Sequence, residues 1–293
     1  MAITASLVKE LRDKTNAGMM DCKKALVETE GNLEAAEELL RKKGIAKAGK
    51  KVDREASEGL VGAAISADGK TGVLVEVSCE TDFVAKNDNF RNFAEDVTKL
   101  ALDCDGADGN VEAFLAVQHP SGSTLADVVK SKITELGENI LIRRVARFQT
   151  GEKGLLASYI HMAGRVGVLV EIEADSVAVL DHDDVKAAAK DITLHVAAAS
   201  PQGLSRDDVD STLIEKERAI LADSDDVKSK PEQIQGKIVD GKMNKFYSQI
   251  CLLEQAFVKD PDVTVGKLVE NTGKNAGGEV KVTRFVRFAV GEA

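Results

Sequence analysis

Apolar residues recur at helical spacing in three short stretches at the start of the chain, and a glycine follows each stretch. Residues 4 to 44 therefore predict three helices, with breaks at Asn16-Ala17-Gly18 and Gly31 and an end at Gly44. So few residues bury only a small core, which predicts a docking module. The apolar positions are Leu7, Val8 and Leu11, then Met20, then Leu33, Ala36, Leu39 and Leu40.

A longer pattern occurs twice along the chain. Residues 59 to 77 align without gaps to residues 154 to 172 at a shift of 95, with nine identical positions where chance gives about one. A second match, between 142 to 152 and 282 to 292, has a shift of 140. The chain therefore contains two copies of one unit. The difference of 45 residues between the shifts predicts an insertion in the second copy, between His195 and Val263.

Each copy has the pattern of a β-hairpin, a helix and a closing strand. Asp68-Gly69 predicts a two-residue turn in the first hairpin, and Ala163-Gly164 takes its place in the second. Phe90 and Phe93 begin the helical spacing of the first copy, and Val185 begins that of the second. Each copy therefore predicts a small antiparallel sheet backed by helices.

The predicted fold class is α+β, in four parts. Residues 1–54 form a three-helix head module with a basic tether, and residues 55–152 form the first core subdomain. The second core subdomain comprises 153–204 and 251–293. The insertion, 205–250, has the apolar spacing of a helical hairpin, or coiled-coil arm. Such an arm packs on itself and offers surface to a partner protein or to a second copy of this chain, so self-association through the arm is a hypothesis.

The composition is that of a folded protein, with 43 % apolar and 30 % charged residues. Its net charge of −10 argues against a general nucleic-acid binder, whose phosphate contacts need a basic face. Residues 41 to 54 nevertheless carry seven basic residues against one acid, Asp53. This tether either contacts RNA or forms a solvated helix face, and an acidic protein favours the second interpretation.

Membrane and disulfide signals are weak. No apolar run approaches the ~18 residues of a membrane span, and acidic residues interrupt the N-terminal region. Cys22, Cys79, Cys104 and Cys251 are scattered without a CxxC pair, which argues against a disulfide framework or a zinc site and suits a reducing compartment. We expect a soluble, cytoplasmic protein.

Signals for chemistry are weak throughout the chain. Gly69-Lys70-Thr71 resembles the end of a phosphate-binding loop, but Ala64 stands where the first glycine is required. Cys79 and His161 are a candidate nucleophile pair, yet Cys79 ends an apolar strand, where a buried, unreactive thiol is expected. The histidines lack metal-ligand spacing. We therefore expect no bound nucleotide, no metal, no cofactor and no catalytic residue.

The segment 81 to 87, TDFVAKN, joins the first predicted hairpin to its helix. Thr81 or Asp82 can cap a helix there, with Phe83 in the core. The corresponding residue of the second copy is Ala178, so the duplicated fold does not require an aromatic residue at this place. An acid followed by a phenylalanine at a loop tip can instead insert into a pocket of a partner.

Two methionines of the predicted head also have two possible interpretations. Met19 and Met20 lie near Lys9 and Arg12 of the first predicted helix. They are either core residues or an adaptable contact surface edged by positive charge.

These segments resemble the bacterial translation elongation factor Ts family. The resemblance extends nearly end to end, although the stretch from 103 to 123 departs from the family pattern and receives no role. A duplicated core with a helical arm in the second subdomain is also that family's plan. The matching stretches are ITASLVKELRDKTNAGMMDCKKAL near the start, TDFVAKN at 81–87, GENILIRRV at 137–145 and GKMNKFYSQICLLEQAFVKDP at 241–261.

The resemblance implies nucleotide exchange on elongation factor Tu, the GTPase that delivers aminoacyl-tRNA to the ribosome. Thr81, Asp82, Phe83 and Val84 would then enter the G domain of that partner and displace its Mg²⁺. The resemblance also implies partner contacts from the head and core, at Lys9, Arg12, Met19, Met20 and His161, and by a less specific match at Val258 and Lys259.

The residues alone leave three alternatives. An adaptor would hold peptides with the head, and the TDFVAKN loop would be dispensable. An RNA-binding protein would use the basic tether, and its affinity would fall steeply with salt. An enzyme would use Cys79 as its nucleophile.

Overall fold

The computed structural model describes residues 3–15, 17–49, 51, 53–106 and 108–292. The predicted break at Asn16 and the tether residue Lys50 lie outside these ranges.

The head consists of three helices, α1 Ala5–Thr15, α2 Met19–Glu28 and α3 Leu33–Gly49. Its small core contains Leu11, Cys22 and Leu26. The predicted end at Gly44 is wrong, because α3 continues five residues further. One glycine inside a helix costs only about 1 kcal/mol relative to alanine, and the lysines and alanines around it favour helix.

The first copy of the repeated unit is a three-stranded antiparallel sheet covered on one face by helices. The strands lie in chain order, so the closing strand pairs with the second strand of the hairpin. The elements are β1 Glu58–Ile65, β2 Thr71–Cys79, α4 Asp82–Ala85, α5 Asp88–Leu102, α6 Val111–Leu115, α7 Leu125–Leu136 and β3 Ile140–Gln149.

The second copy repeats this arrangement, with the insertion before its last helix and strand. Its sheet has the order β4-β5-β8 and is also antiparallel. The elements are β4 Gly154–His161, β5 Val166–Ala174, α8 Val177–Leu180, α9 Asp183–Ala199, α10 Ser211–Asp223, α11 Asp225–Lys228, α12 Glu232–Ile250, β6 Ala256–Phe257, β7 Asp260–Thr264, α13 Val265–Ala276 and β8 Val280–Ala289. Short 3₁₀ turns occupy Met162–Gly164, Arg206–Asp208 and Leu252–Glu254.

The α+β class predicted from the sequence is confirmed. Both predicted hairpins are present, but the two-residue turn at Asp68-Gly69 is wrong, because five residues separate β1 from β2. Ser66 and Asp68 stabilise this longer loop: the Ser66 hydroxyl and the Lys70 backbone N–H both donate to Asp68 Oδ1, at 2.5 and 3.0 Å.

The insertion forms a helical hairpin of α10 and α12, joined through the short helix α11. Val227, Val239 and Met243 form a cluster of their own between these helices. Ile220 and Ile234 lie on the exposed side of the arm.

The two sheets pack face to face, and their contacts are reciprocal. Arg144 pairs with the buried Glu76 of its own sheet, and its guanidinium lies 4.5 Å from the ring centre of Phe288 in the other. At the equivalent positions of the second copy, Arg284 pairs with Glu171, and its guanidinium lies 4.0 Å from the ring centre of Phe148. Residues equivalent by the shifts of 95 and 140 therefore make equivalent contacts. The sequence repeat is a structural repeat with approximate twofold symmetry across this interface.

Glycines permit the close approach of the sheets. A Cβ at Gly72 would lie 2.9 Å from Cδ1 of Leu169, and a Cβ at the equivalent Gly167 would lie 2.8 Å from Cδ1 of Leu74. Both distances are below a normal carbon–carbon contact, so a side chain at either position would separate the sheets.

Candidate partner-binding surface

Phe83 lies on the solvent side of the short helix α4 and is 82 % exposed. It is the most exposed large apolar side chain in the part of the chain that the structure describes. Burying a phenylalanine is worth roughly 1.5–3 kcal/mol, so the fold gains little from a ring placed here. Intramolecular packing therefore does not account for this residue.

The residues on either side of Phe83 have local structural roles. The Thr81 side chain caps α4 by accepting the Val84 backbone N–H at 3.3 Å. Val84 packs against the core of the first copy, and Ala85 is buried in it. Of the four residues predicted to enter a partner, Thr81 and Val84 thus make internal contacts, and Asp82 and Phe83 lie at the surface.

Asp82 is paired on its own helix turn. Lys86 Nζ donates to Asp82 Oδ2 at 2.6 Å, and this hydrogen bond holds the pKa of the Asp82 carboxyl below its usual range. Asp82 is therefore ionised at neutral pH. Because both side chains are solvated, the pair itself adds little stability, and the carboxylate can exchange Lys86 for a group on a partner.

A residue far along the chain holds this turn in place. Glu138, between α7 and β3, accepts hydrogen bonds from the backbone N–H groups of Glu80 and Thr81 and from the Thr81 hydroxyl. The sequence pattern predicts no role for Glu138, although this residue lies in the GENILIRRV stretch. Alignment of the two copies at the shift of 140 sets Glu138 apart, because the second copy has Gly278 where the first has Glu138.

The second copy has the same turn without the aromatic side chain. Ser176 caps α8 as Thr81 caps α4, by accepting the backbone N–H of Val179 at 3.3 Å. Ala178 stands at the place of Phe83. The structure thus agrees with the sequence alignment that set Phe83 apart.

The tip of the second hairpin packs on the strand that also contacts α4. Leu60 of β1 packs against the core of the first copy and lies 2.7 Å from the position of a Cβ on Gly164. Next to Gly164, His161 and Met162 are exposed, and His161 Nδ1 is 3.0 Å from the Tyr159 hydroxyl. The tip and α4 thus border the same strand.

Met162 has an unusual backbone conformation. Its φ is +48° and that of Ala163 is +53°, a left-handed conformation that these residues seldom adopt. The turn holds the Met162 side chain in solvent, where 67 % of it is exposed.

The predicted head residues are all exposed. Met19 and Met20 are both more than half exposed, which excludes the core interpretation of these methionines. Lys9 and Arg12 on α1 are exposed as well. The head rests on the first copy through contacts between α3 and α7.

Val258 and Lys259 lie at the tip of the β6–β7 hairpin, which α9 supports. Lys259 Nζ contacts Asp191 Oδ1 at 2.6 Å, and the Val258 backbone N–H donates to His195 Nδ1 at 3.1 Å. The Val258 side chain is exposed. These two residues thus form a further surface, on the second copy.

The candidate sites for chemistry do not assemble. Cys79 is fully buried, and burial raises its pKa to about 12, whereas His161 is exposed. Lys70 Nζ donates to the backbone carbonyl groups of Gly151, Glu152 and Gly154, so the lysine of the loop that resembles a phosphate-binding loop is already bound within the protein. Among the residues the structure describes, no cluster suited to a metal ion and no helix able to cross a membrane is present.

Comparison with known proteins identifies close relatives. The family model described as Elongation factor TS matches residues 80–292. Elongation factor Ts of Syntrophotalea carbinolica is 48 % identical over 293 residues, covering 100 % of this chain and 94 % of that protein. Elongation factor Ts of Magnetococcus marinus is 47 % identical over 293 residues, with the same coverage, and that of Halothermothrix orenii is 45 % identical over 292 residues, covering 100 % and 93 %.

Proposed function

This chain belongs to the elongation factor Ts family, and from that premise we propose that it accelerates GDP release from elongation factor Tu during translation elongation. The observation that supports this most directly is Phe83, an exposed ring on a turn in which Thr81 and Val84 are held by internal contacts. In the proposed complex Asp82 and Phe83 enter the G domain of the partner. The factor acts by binding, and no chemical step takes place on this chain.

The partner holds GDP through its phosphate loop and a bridging Mg²⁺. Burial of the Phe83 ring in an apolar pocket of the partner lowers the free energy of the complex. Asp82 places a negative charge near the groups that hold the metal ion. A factor that binds the nucleotide-free partner best must weaken GDP binding by the same ratio by which GDP weakens binding of the factor. Displacement of Mg²⁺ is the step through which the proposed intrusion acts.

The remaining exposed residues supply docking in this proposal. Met19 and Met20 with Lys9 and Arg12 contact the partner from the head, and His161 does so from the second hairpin. Val258 and Lys259 contact a further domain of the partner. Because these surfaces lie on the head and on both copies of the core, docking energy is spread over the chain, and the acceleration step is concentrated at Phe83.

The arm has a separate proposed role in self-association. Ile220 and Ile234 lie on its exposed side. The proposed exchange surface includes neither isoleucine.

The test is release of fluorescent GDP from purified elongation factor Tu at increasing concentrations of wild-type protein and of Phe83→Ala. Burial of one ring accounts for about 1.5–3 kcal/mol, so we expect Phe83→Ala to slow the maximal release rate by about one to two orders of magnitude. The concentration that gives half of the maximal rate should change much less, since the other contacts are retained.

Ala178→Phe is a matched control, because it places the same ring on the equivalent turn of the second copy. It should not replace Phe83 when combined with Phe83→Ala. Equal losses of rate and affinity in Phe83→Ala would argue for a docking role only. Absence of acceleration by the folded wild-type protein would reject the proposed function.

A further inference from the structure

We propose that Glu138 is a positioning residue for nucleotide exchange, which acts by holding the turn that carries Phe83. This inference rests on the function proposed above. Glu138 lies 55 positions after Phe83 in the chain, and its role follows from contacts across the fold.

Both oxygens of the Glu138 carboxylate are used. Oε2 accepts the backbone N–H groups of Glu80 and Thr81 at 3.1 and 3.0 Å. Oε1 accepts the Thr81 hydroxyl at 2.6 Å, and that hydroxyl oxygen in turn accepts the Val84 backbone N–H at 3.3 Å. One carboxylate thus fixes the residues before Phe83 and, through the Thr81 side chain, the residue after it.

The anchor is itself held in place. The backbone N–H of Asn139 donates to Glu80 Oε1 at 2.6 Å, so segments 80–81 and 138–139 bind each other in both directions. The Asn139 side chain donates to the backbone carbonyl of Arg54 at 2.8 Å, and Lys51 donates to the carbonyl of Gly137. The last residues of the tether therefore support the segment that supports the turn.

The second copy shows that the turn does not need this carboxylate in order to fold. Gly278 stands in place of Glu138, and yet α8 is formed and capped by Ser176. The bond between Asn139 and Glu80 has an equivalent in the second copy, because Asp175 Oδ2 accepts the backbone N–H of Glu279 at 3.0 Å. Within this one chain, the carboxylate accompanies the turn with the phenylalanine and is absent from the turn with Ala178.

A held turn matters because α4 has only four residues. So short a helix has little cooperative stability of its own. A ring on a mobile turn would lose conformational freedom on entering a partner, and that cost would subtract from its effect. Glu138 removes much of this cost in advance, since the turn is ordered before the partner is met.

The experiment measures GDP release from elongation factor Tu with wild-type protein, Glu138→Ala, Glu138→Gln, Phe83→Ala and the double variant Glu138→Ala/Phe83→Ala. Glu138→Ala should lower the maximal release rate about tenfold, the effect of losing charge-assisted hydrogen bonds. The concentration for half-maximal rate should change less than about twofold. Glu138→Gln should recover much of the rate, because its amide oxygen can still accept the two backbone N–H groups.

The double variant distinguishes positioning from general stability. If Glu138 acts through Phe83, Glu138→Ala causes no further loss in the Phe83→Ala background. A loss of the same ratio in both backgrounds would overturn the inference. Full activity of Glu138→Ala would overturn it too, whereas failure of the wild-type protein to accelerate release would reject the proposed function together with this inference.

Two further measurements guard against misfolding. Asp175→Ala is the control, since it removes the carboxylate beside the turn of the second copy, at the position equivalent to Glu80, and it should leave the exchange rate unchanged. In the free protein, hydrogen exchange at the Val84 amide should be faster in Glu138→Ala than in the wild type, while amides of β2 remain protected. Equal protection of Val84 in both proteins would contradict a positioning role.

Discussion

At the scale of single residues, His195 joins α9 to the hairpin that carries Val258. It is 1 % exposed, and its Nδ1 accepts the Val258 backbone N–H, so the proton of the neutral ring is on Nε2. Nε2 donates to Gln255 Oε1 at 2.9 Å. Burial lowers the pKa of His195, which the hydrogen bond to Gln255 only partly offsets. Protonation of Nδ1 would remove the bond to Val258.

We therefore expect the stability of the protein to depend on pH through His195. Its pKa in the folded state is below that in the unfolded state, so the unfolded chain binds the proton first as the pH falls. The stability that neutral His195 gives to the folded state is fully present above about pH 6.5 and is lost as the pH falls below that value. Urea unfolding at pH 7.5 and 5.5 should show a loss on the order of 1 kcal/mol in the wild type that is absent in His195→Asn.

The exposed His161 provides the comparison for that experiment. His161→Asn should keep the pH dependence of the wild type, because His161 is exposed and takes no part in the hydrogen bonds to Val258 and Gln255. A pH dependence that disappears in His161→Asn but persists in His195→Asn would contradict the assignment.

Some of the site could be predicted from single residues and some could not. Phe83 was identified because the aligned residue of the second copy is Ala178, a comparison internal to the sequence. The structure then excluded the core interpretation of Met19 and Met20. Glu138 was not identified, since its bonds to residues 80 and 81 join positions that no local pattern relates.

At the scale of elements, Gly167 sets the distance between the two sheets. A Cβ at this position would lie 2.4 Å from Cγ1 of Val61 and 2.8 Å from Cδ1 of Leu74. Overpacking of this kind costs about 1–3 kcal/mol, so Gly167→Ala should lower the free energy of unfolding by that amount. Urea denaturation monitored by circular dichroism measures it.

Gly236 on α12 is the matched control. No atom lies within 4 Å of a Cβ placed there, and its backbone is helical, so Gly236→Ala should raise the free energy of unfolding by about 0.5–1 kcal/mol. The same glycine-to-alanine substitution is therefore expected to lower the free energy of unfolding at position 167 and to raise it at position 236. A stabilising Gly167→Ala would mean that the sheets separate without cost.

Elements with a strong period were predictable, and their ends were not. The helices α5 and α9 and the strands of both hairpins follow from apolar spacing and from the repeat. The loop between β1 and β2 is longer than predicted, because the Ser66 and Asp68 side chains satisfy backbone groups that a two-residue turn would have paired. The extension of α3 past Gly44 reflects helix-forming neighbours, whose combined preference exceeds the cost of one glycine.

At the scale of the whole molecule, the proposed self-association through the arm of α10, α11 and α12 can be measured directly. Sedimentation equilibrium over a range of protein concentrations should show a mass that rises with concentration for the wild type. Ile220→Glu should keep the mass at that of one chain, because burying an unpaired charge opposes association. Val27→Glu, which changes an exposed apolar residue of the head, should behave as the wild type.

A mass equal to one chain at every concentration of the wild type would reject association through the arm. GDP release by Ile220→Glu should match that of the wild type in either case, since the proposed exchange surface does not include the arm.

The interface between the two sheets has a consequence for synthesis of the chain. Phe148, at the end of the first sheet, is translated 140 residues before Phe288, at the end of the second. At ~5–20 residues per second, roughly 7 to 28 s pass between them. During this interval the second sheet lacks β8, so the apolar cluster at the interface lacks Phe288 and the Phe148 ring lacks its contact with Arg284. The nascent chain then carries an apolar face shaped for a sheet like its own, and neighbouring chains on one polysome offer that sheet. The speed of translation through the second half therefore sets how long the chain is exposed to the wrong partner.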